Sequence, residues 1–105
     1  MLKAAIIGLG WWGQTLARVL QGSQDITPIL GIDPDEKART VAQAMGLRTG
    51  TRFEDALEAS DVQAIILCTP HKQHAAQIIA AAAAGKHVFC EKPLCTDPDE
   101  AEGAF

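Results

Sequence analysis

Three glycines stand at a spacing that could hold a nucleotide. Gly8, Gly10 and Gly13 form the pattern GxGxxG within "GLGWWG", directly after a run of apolar residues. In dinucleotide-binding folds the first glycine permits a tight turn and the second lets a diphosphate approach bare backbone. The third lets the following helix pack close to the strand. The start of that helix adds unpaired N–H groups and a partial positive charge. The spacing alone is weak evidence, because glycine-rich turns are common.

Asp33 supplies a second part of the pattern. It ends the next apolar run, about 20 residues after Gly13, where an acid accepts hydrogen bonds from the adenosine ribose. A carboxylate there repels a 2′-phosphate, so the sequence predicts NAD in preference to NADP. Lys37 and Arg39 lie farther along and could weaken that preference, which leaves NADP as a second cofactor. The alternative is a purely structural turn in which Asp33 caps a helix that begins at Pro34.

Two tryptophans lie between the second and third glycines. Trp11 and Trp12 are adjacent on the predicted helix, so their side chains point in different directions. One ring is expected to pack against the sheet, and the other to cover the diphosphate or form a wall beside the nicotinamide. Trp12 is assigned to the cofactor side. The alternative, that both rings only fill space, is equally consistent with the sequence.

Alternating apolar runs and amphipathic stretches predict the elements that position these residues. Short connections between strand and helix imply parallel strands with right-handed crossovers. The predicted fold is therefore α/β, a doubly wound parallel sheet (Rossmann fold) of about five strands with helices on both faces. Such sheets bind ligands at the carboxyl ends of their strands, where the strand order reverses. The predicted strands are 3–9, 26–33, a short one within 47–53, 62–69 and 87–93, and the predicted helices are 11–22, 34–46, 54–60 and 72–85.

Composition excludes several classes of function. The 105 residues suffice for one domain, and a hydrophobic fraction of 48% is enough for a buried core. Thirteen acidic residues outnumber nine scattered basic ones, so no nucleic-acid partner is expected. The apolar run at 78–84 is too short and too rich in alanine to span a bilayer, so no membrane partner is expected.

Cysteine and histidine positions favour neither disulfides nor a metal. Three cysteines without a CxxC pair suit a reducing compartment, and a cytoplasmic location is expected. Cys68 and Cys90 are predicted to be small core residues at strand ends, with Cys95 more exposed. His71 and His74 are three residues apart on a predicted helix, but no third ligand accompanies them, so no metal site is expected.

A second stretch carries a resemblance to a known family. Residues 68–94 read "CTPHKQHAAQIIAAAAAGKHVFCEKPL" and, together with "IIGLGWWG", resemble the N-terminal domain of the Gfo/Idh/MocA family, which includes glucose-fructose oxidoreductase and inositol dehydrogenase. The resemblance covers essentially the whole chain. The segment "GKHVFCEKP" is much more specific than the glycine pattern.

The resemblance implies further site residues. Thr69 and Pro70 match a segment along the nicotinamide side of the dinucleotide, and His74 matches a histidine at a helix start. Glu91, Lys92 and Pro93 match the EKP signature of the family, whose lysine sits beside the nicotinamide and the substrate hydroxyl. A lysine so placed would stabilise the developing alkoxide and assist proton removal, so Lys92 is the candidate catalytic residue. The alternative is a solvated turn lysine.

The implied activity is hydride transfer between a nicotinamide cofactor and a sugar, cyclitol or related polyol. Members of the family continue into a second α/β domain with most substrate contacts. Residues 1–105 are therefore expected to be the dinucleotide-binding domain of a truncated protein that binds cofactor without turnover. Its sheet would lack the usual sixth strand, and self-association through the fifth-strand side is expected. Two alternatives are a glycosidase-type relative that oxidises its substrate transiently with bound NAD, and a non-catalytic dinucleotide-binding module.

Overall fold

The computed structural model of the protein describes residues 2–68 and 74–90. Strands and helices alternate along the chain. The elements are β1 (Leu2–Ile7), α1 (Trp11–Leu20), β2 (Ile26–Ile32), α2 (Glu36–Ala44), β3 (Arg48–Gly50), α3 (Phe53–Glu58), β4 (Ala64–Leu67), α4 (His74–Ala83) and β5 (His87–Cys90). None of the helices in the described ranges is long and apolar enough to cross a bilayer.

The five described strands form one parallel sheet in the order β3-β2-β1-β4-β5. From β1 the chain adds β2 and β3 on one side, and it then returns to place β4 on the other side of β1. The predicted doubly wound α/β fold is confirmed. The order reverses between β1 and β4, so a crevice is expected beyond the carboxyl ends of these two strands.

The core lies in two layers, one on each face of the sheet. Successive side chains of β1 alternate between the layers, because strand residues point to opposite faces in turn. Ala4 and Ile6 face the layer that contains α1 and α2, whereas Ala5 and Ile7 face the layer that contains α3 and α4. The helices meet the sheet through small residues, which lets them approach it closely; these residues are Ala17, Ala38, Ala42, Ala56 and Ala81.

Two predictions at the ends of elements are wrong. Helix α2 begins at Glu36, and Pro34 precedes it, because Asp35 adopts an extended conformation and its carboxylate accepts a hydrogen bond from the backbone N–H of Lys37 at 3.3 Å. Cys90 was predicted to lie in the core but is exposed. It ends β5, the last of the described strands in the order, where Val88 is the residue that packs against the layer containing α3 and α4. Cys68 is half-buried and packs against the layer that contains α1.

Side chains also hold the connections before β4. The Lys86 ammonium donates to the carbonyl oxygens of Ala59 and Val62, at 3.0 and 2.6 Å, and so ties the end of α3 to the start of β5. Arg48 and Asp61 form a paired salt bridge with N–O distances of 2.9 and 3.0 Å on the surface. Hydrogen bonding to the guanidinium lowers the pKa of the Asp61 carboxyl below its ordinary value.

Candidate functional site

A cavity of about 490 Å³ lies at the carboxyl ends of the strands. Its wall comes from residues that end or follow four different strands, together with the first residue of α3 and one residue of α4. The lining residues are Ile7, Gly8, Gly10, Ile32, Asp33, Pro34, Thr51, Phe53, Cys68 and Gln77. The cavity therefore occupies the crevice that the strand order predicts, and both early glycines and the acid lie on its wall.

The three glycines have three different geometries. Gly8 has φ of +95°, a conformation that side chains other than glycine rarely adopt, and it makes the tight turn at the end of β1. A β-carbon at Gly13 would overlap the carbonyl oxygen of Gly8, so glycine is needed for α1 to pack against the turn. A β-carbon at Gly10 would meet no atom of the described residues within 4 Å. In the described part of the chain, the space beside Gly10 is therefore open.

Among the described residues, the N-terminus of α1 has no side-chain cap, and its own first turn has no acidic side chain. Its N-cap residue is Gly10. Helix α2 differs, since Asp35 caps it and Glu36 lies in its first turn. The first backbone N–H groups of a helix have no partner within the helix, and the helix dipole makes this end partly positive. The start of α1 is thus suited to an anion such as a diphosphate.

Asp33 joins the end of β2 to the glycine turn. Its Oδ2 accepts from the backbone N–H of Leu9 and its Oδ1 from that of Asp35, both at 2.8 Å. Each carboxylate oxygen keeps a further lone pair that could accept a ribose hydroxyl. Asp33 does not cap α2, because Asp35 has that role. One Arg39 nitrogen donates to the carbonyl oxygens of Asp33 and Pro34, at 2.9 and 2.8 Å, so its guanidinium lies at the same turn.

Leu9, between the first two glycines, is held on every side. The N–H of Leu9 donates to the Asp33 carboxylate, and the carbonyl oxygen of Leu9 accepts from the side-chain amide of Gln14 at 2.7 Å. Its side chain is fully buried. A β-carbon at Gly31 would lie only 3.0 Å from the side chain of Leu9, which explains a glycine within β2. The turn is therefore part of the packed core.

The two tryptophans differ in exposure. Trp11 is 73% exposed, whereas Trp12 is half-buried, and their ring centroids lie 6.0 Å apart. The indole Nε1 of Trp12 is buried without an acceptor among the described residues. Neither ring is among the described residues that line the cavity. The assignment of Trp12 to the cofactor side therefore stays a prediction.

Several predicted site residues lie outside the described residues. These are Thr69, Pro70, Glu91, Lys92 and Pro93. His74 begins α4. Sequence reasoning missed Gln14 and the cavity residues Thr51, Phe53 and Gln77. Thr51 directly follows β3, so its position beyond a strand end is a signal that could have been used. Within the described ranges, no three histidine, cysteine or acidic side chains come together as a metal site would require.

Comparison with known proteins agrees with this geometry. Residues 2–105 match the family model for Gfo/Idh/MocA, described as an oxidoreductase family with an NAD-binding Rossmann fold. The chain is 37% identical over 103 residues to inositol 2-dehydrogenase 3 of Saccharopolyspora erythraea, a match that covers 94% of this chain and 30% of that protein. It is 33% identical over 90 residues to 2,7-anhydro-N-acetylneuraminate hydratase of Mediterraneibacter gnavus, covering 86% of this chain and 24% of that protein.

A solved structure with bound ligands is also similar. It is scyllo-inositol dehydrogenase from Lactobacillus casei with NAD(H) and scyllo-inositol, which superposes with a TM-score of 0.79 at 27% identity. The match covers 99% of this chain and 32% of that one. The chain thus spans about a quarter to a third of the length of the proteins it matches.

Proposed function

Since the chain belongs to the Gfo/Idh/MocA family of oxidoreductases with an NAD-binding Rossmann fold, we propose that residues 1–105 form the dinucleotide-binding domain of a polyol dehydrogenase. The reaction would transfer hydride between NAD and a sugar, cyclitol or related polyol. NAD, when bound, supplies the hydride acceptor. The residues of this chain bind and orient it.

The observation that carries the proposal is the open space beside Gly10 in the described part of the chain. Gly10 lies at the uncapped start of α1 and shares a cavity with Asp33 at the point where the strand order reverses. In the proposed binding mode the diphosphate lies over Gly10, and the adenosine ribose hydroxyls donate to the remaining lone pairs of Asp33.

The proposed substrate class is supported by the similar proteins. Two of them are named inositol dehydrogenases, and one was solved with scyllo-inositol. Lys92 is proposed to lie beside the nicotinamide and the substrate hydroxyl, as its match to the EKP signature implies. There its ammonium would stabilise the alkoxide and take part in proton transfer.

The test is a calorimetric titration of the chain with NADH and NADPH. We expect NADH to bind more tightly, by about fivefold or more, because two unit charges at about 4 Å repel by roughly 1 to 4 kcal/mol between bulk water and a protein surface. Asp33→Ser should reduce the difference in affinity between NADH and NADPH. It should also weaken NADH itself, since Leu9 loses the acceptor of its N–H.

Asp35→Ser is the matched control. It removes a charge two residues away while keeping a side chain that caps helices well, so the preference for NADH should persist. Equal or tighter binding of NADPH by the unaltered chain would overturn the assignment of Asp33. Absence of binding to either dinucleotide would overturn the proposed function.

A second candidate is a reaction without net oxidation. One relative is named a hydratase rather than a dehydrogenase. In such a reaction the NAD would oxidise a substrate hydroxyl transiently and be regenerated within one turnover. Substrate consumption without accumulation of NADH would favour this candidate.

A further inference from the structure

We propose that Gln14 is a positioning residue for the dinucleotide, acting together with Asp33 to clamp the peptide groups on either side of Leu9. The inference rests on the proposed function and deepens it. It assigns a role to a residue outside the glycine pattern, one that holds the backbone on which the diphosphate would lie.

Two hydrogen bonds from different elements form the clamp. Asp33, at the end of β2, accepts the N–H of Leu9 at 2.8 Å. Gln14, in α1, donates to the carbonyl oxygen of Leu9 at 2.7 Å. The first bond holds the peptide between Gly8 and Leu9, and the second holds the peptide between Leu9 and Gly10. Both peptide planes of the turn are therefore fixed from outside it.

The bond from Gln14 also restrains the orientation of the Gly10 N–H, a donor that the proposed binding mode places beside the diphosphate. A trans peptide is planar, so its N–H points opposite to its carbonyl. Holding the carbonyl of Leu9 against Gln14 turns the N–H of Gly10 away from that side chain. A β-carbon at Gly10 would meet no atom of the described residues within 4 Å, which leaves room for a ligand beside this peptide. In the proposed arrangement Gln14 orients this N–H without contacting the ligand itself.

Apart from rotation of its two peptide planes, the turn has little freedom to move. The side chain of Leu9 is fully buried and lies over Gly31 in β2, so it cannot leave without opening the core. Rotation of the two peptide planes about this fixed side chain is the motion that the clamp prevents. A glutamine suits the position, because it donates a hydrogen bond without adding a charge near the anion.

The test compares Gln14→Met with Thr15→Val. Methionine keeps the length of the side chain but cannot donate, and we expect the affinity for NADH to fall by about fivefold to tenfold, the usual effect of one net hydrogen bond. Thr15 is the next residue of α1, and its hydroxyl donates to the carbonyl oxygen of Trp11 at 2.8 Å, within the helix. Thr15→Val should leave NADH affinity within about twofold of the unaltered chain.

A second readout needs no ligand. In the ligand-free chain, Gln14→Met should accelerate hydrogen exchange of the Leu9 amide by about fivefold, because the turn opens more often. The amide of Ile6 in β1 should keep its rate, which separates a loosened turn from a general loss of stability. The exchange measurement tests the clamp even if the chain does not bind NADH. Failure to bind NADH would overturn only the proposed function. Unchanged NADH affinity in Gln14→Met, or an unchanged exchange rate at Leu9, would overturn the clamp.

Discussion

A β-carbon at Gly10 would meet no atom within 4 Å in residues 2–68 and 74–90, whereas one at Gly13 would overlap the carbonyl oxygen of Gly8. The two glycines are therefore required for different reasons. Gly13 is needed by the fold, because α1 must approach the turn closely. The fold itself does not require glycine at position 10. Glycine there instead leaves space in which a ligand could lie.

Gly10→Val should consequently separate binding from folding. The side chain would fill the space proposed for the diphosphate, and we expect NADH affinity to fall by about a hundredfold or more, equivalent to roughly 2.7 kcal/mol. Circular dichroism and the urea midpoint should remain close to those of the unaltered chain. Gly22→Val is the control, since a β-carbon there also meets no described atom within 4 Å but lies beyond the end of α1. Tight NADH binding by a folded Gly10→Val chain would mean that the diphosphate lies elsewhere.

Local spacing made the glycine geometries predictable, because each glycine acts within a few residues of its own position. The bonds to Leu9 could not be predicted in the same way. They depend on how Gln14 and Asp33 are oriented after α1 and β2 have packed, and the sequence does not encode that orientation locally. The same limit applies to Trp12. The adjacency of Trp11 and Trp12 predicts that their rings diverge, but it does not predict which ring is buried.

Among the elements, the connection from α3 to β4 depends on one charged side chain. Lys86 donates to the carbonyl oxygens of Ala59 and Val62 from a partly buried position. Lys86→Met should lower the free energy of unfolding by about 1.5 kcal/mol, because two carbonyls lose a charged donor. Urea denaturation at pH 7 measures the change.

Arg48→Met provides the comparison for Lys86→Met. Its salt bridge with Asp61 has good geometry, but both side chains are largely exposed, at 57% and 42%, and exposed pairs contribute little. A loss of stability in Arg48→Met as large as that in Lys86→Met would contradict this ranking by burial.

The elements themselves were predictable from their apolar runs, and every predicted strand and helix has a counterpart in the described residues. Errors fall at element ends, where propensity is weak. Pro34 fits the first turn of a helix as well as the residue before it, and the extended conformation of Asp35 decided between the two. Cys90 was misjudged because an apolar run does not show whether its strand lies at the centre or at the edge of a sheet.

At the scale of the whole molecule, β5 lies at one end of the sheet that the described strands form. In the described part of the chain it pairs only with β4, and Phe89 is 38% exposed. Edge strands of this kind promote association. We expect the 105-residue chain to associate with rising concentration in sedimentation velocity, and Phe89→Lys to weaken the association by placing a charge on the strand.

Val41→Lys is the matched control for Phe89→Lys. Val41 is 37% exposed but lies on α2, away from β5. The Val41→Lys substitution should leave the self-association of the chain unchanged. Monomeric behaviour at all concentrations, or equal effects of the two substitutions, would contradict a role for the β5 edge.

Leu9 has no exposed surface, so its side chain cannot leave its place without opening the layer between the sheet and α1. Release of this side chain and melting of the domain should therefore be a single thermal event. A ligand that binds only the folded chain adds to the free energy of unfolding, by about 2.7 kcal/mol when its concentration is 100 times its Kd. In a heated sample a bound dinucleotide would then raise the melting temperature of the whole sheet, including β3 and β5, rather than stabilise only the loop that it touches.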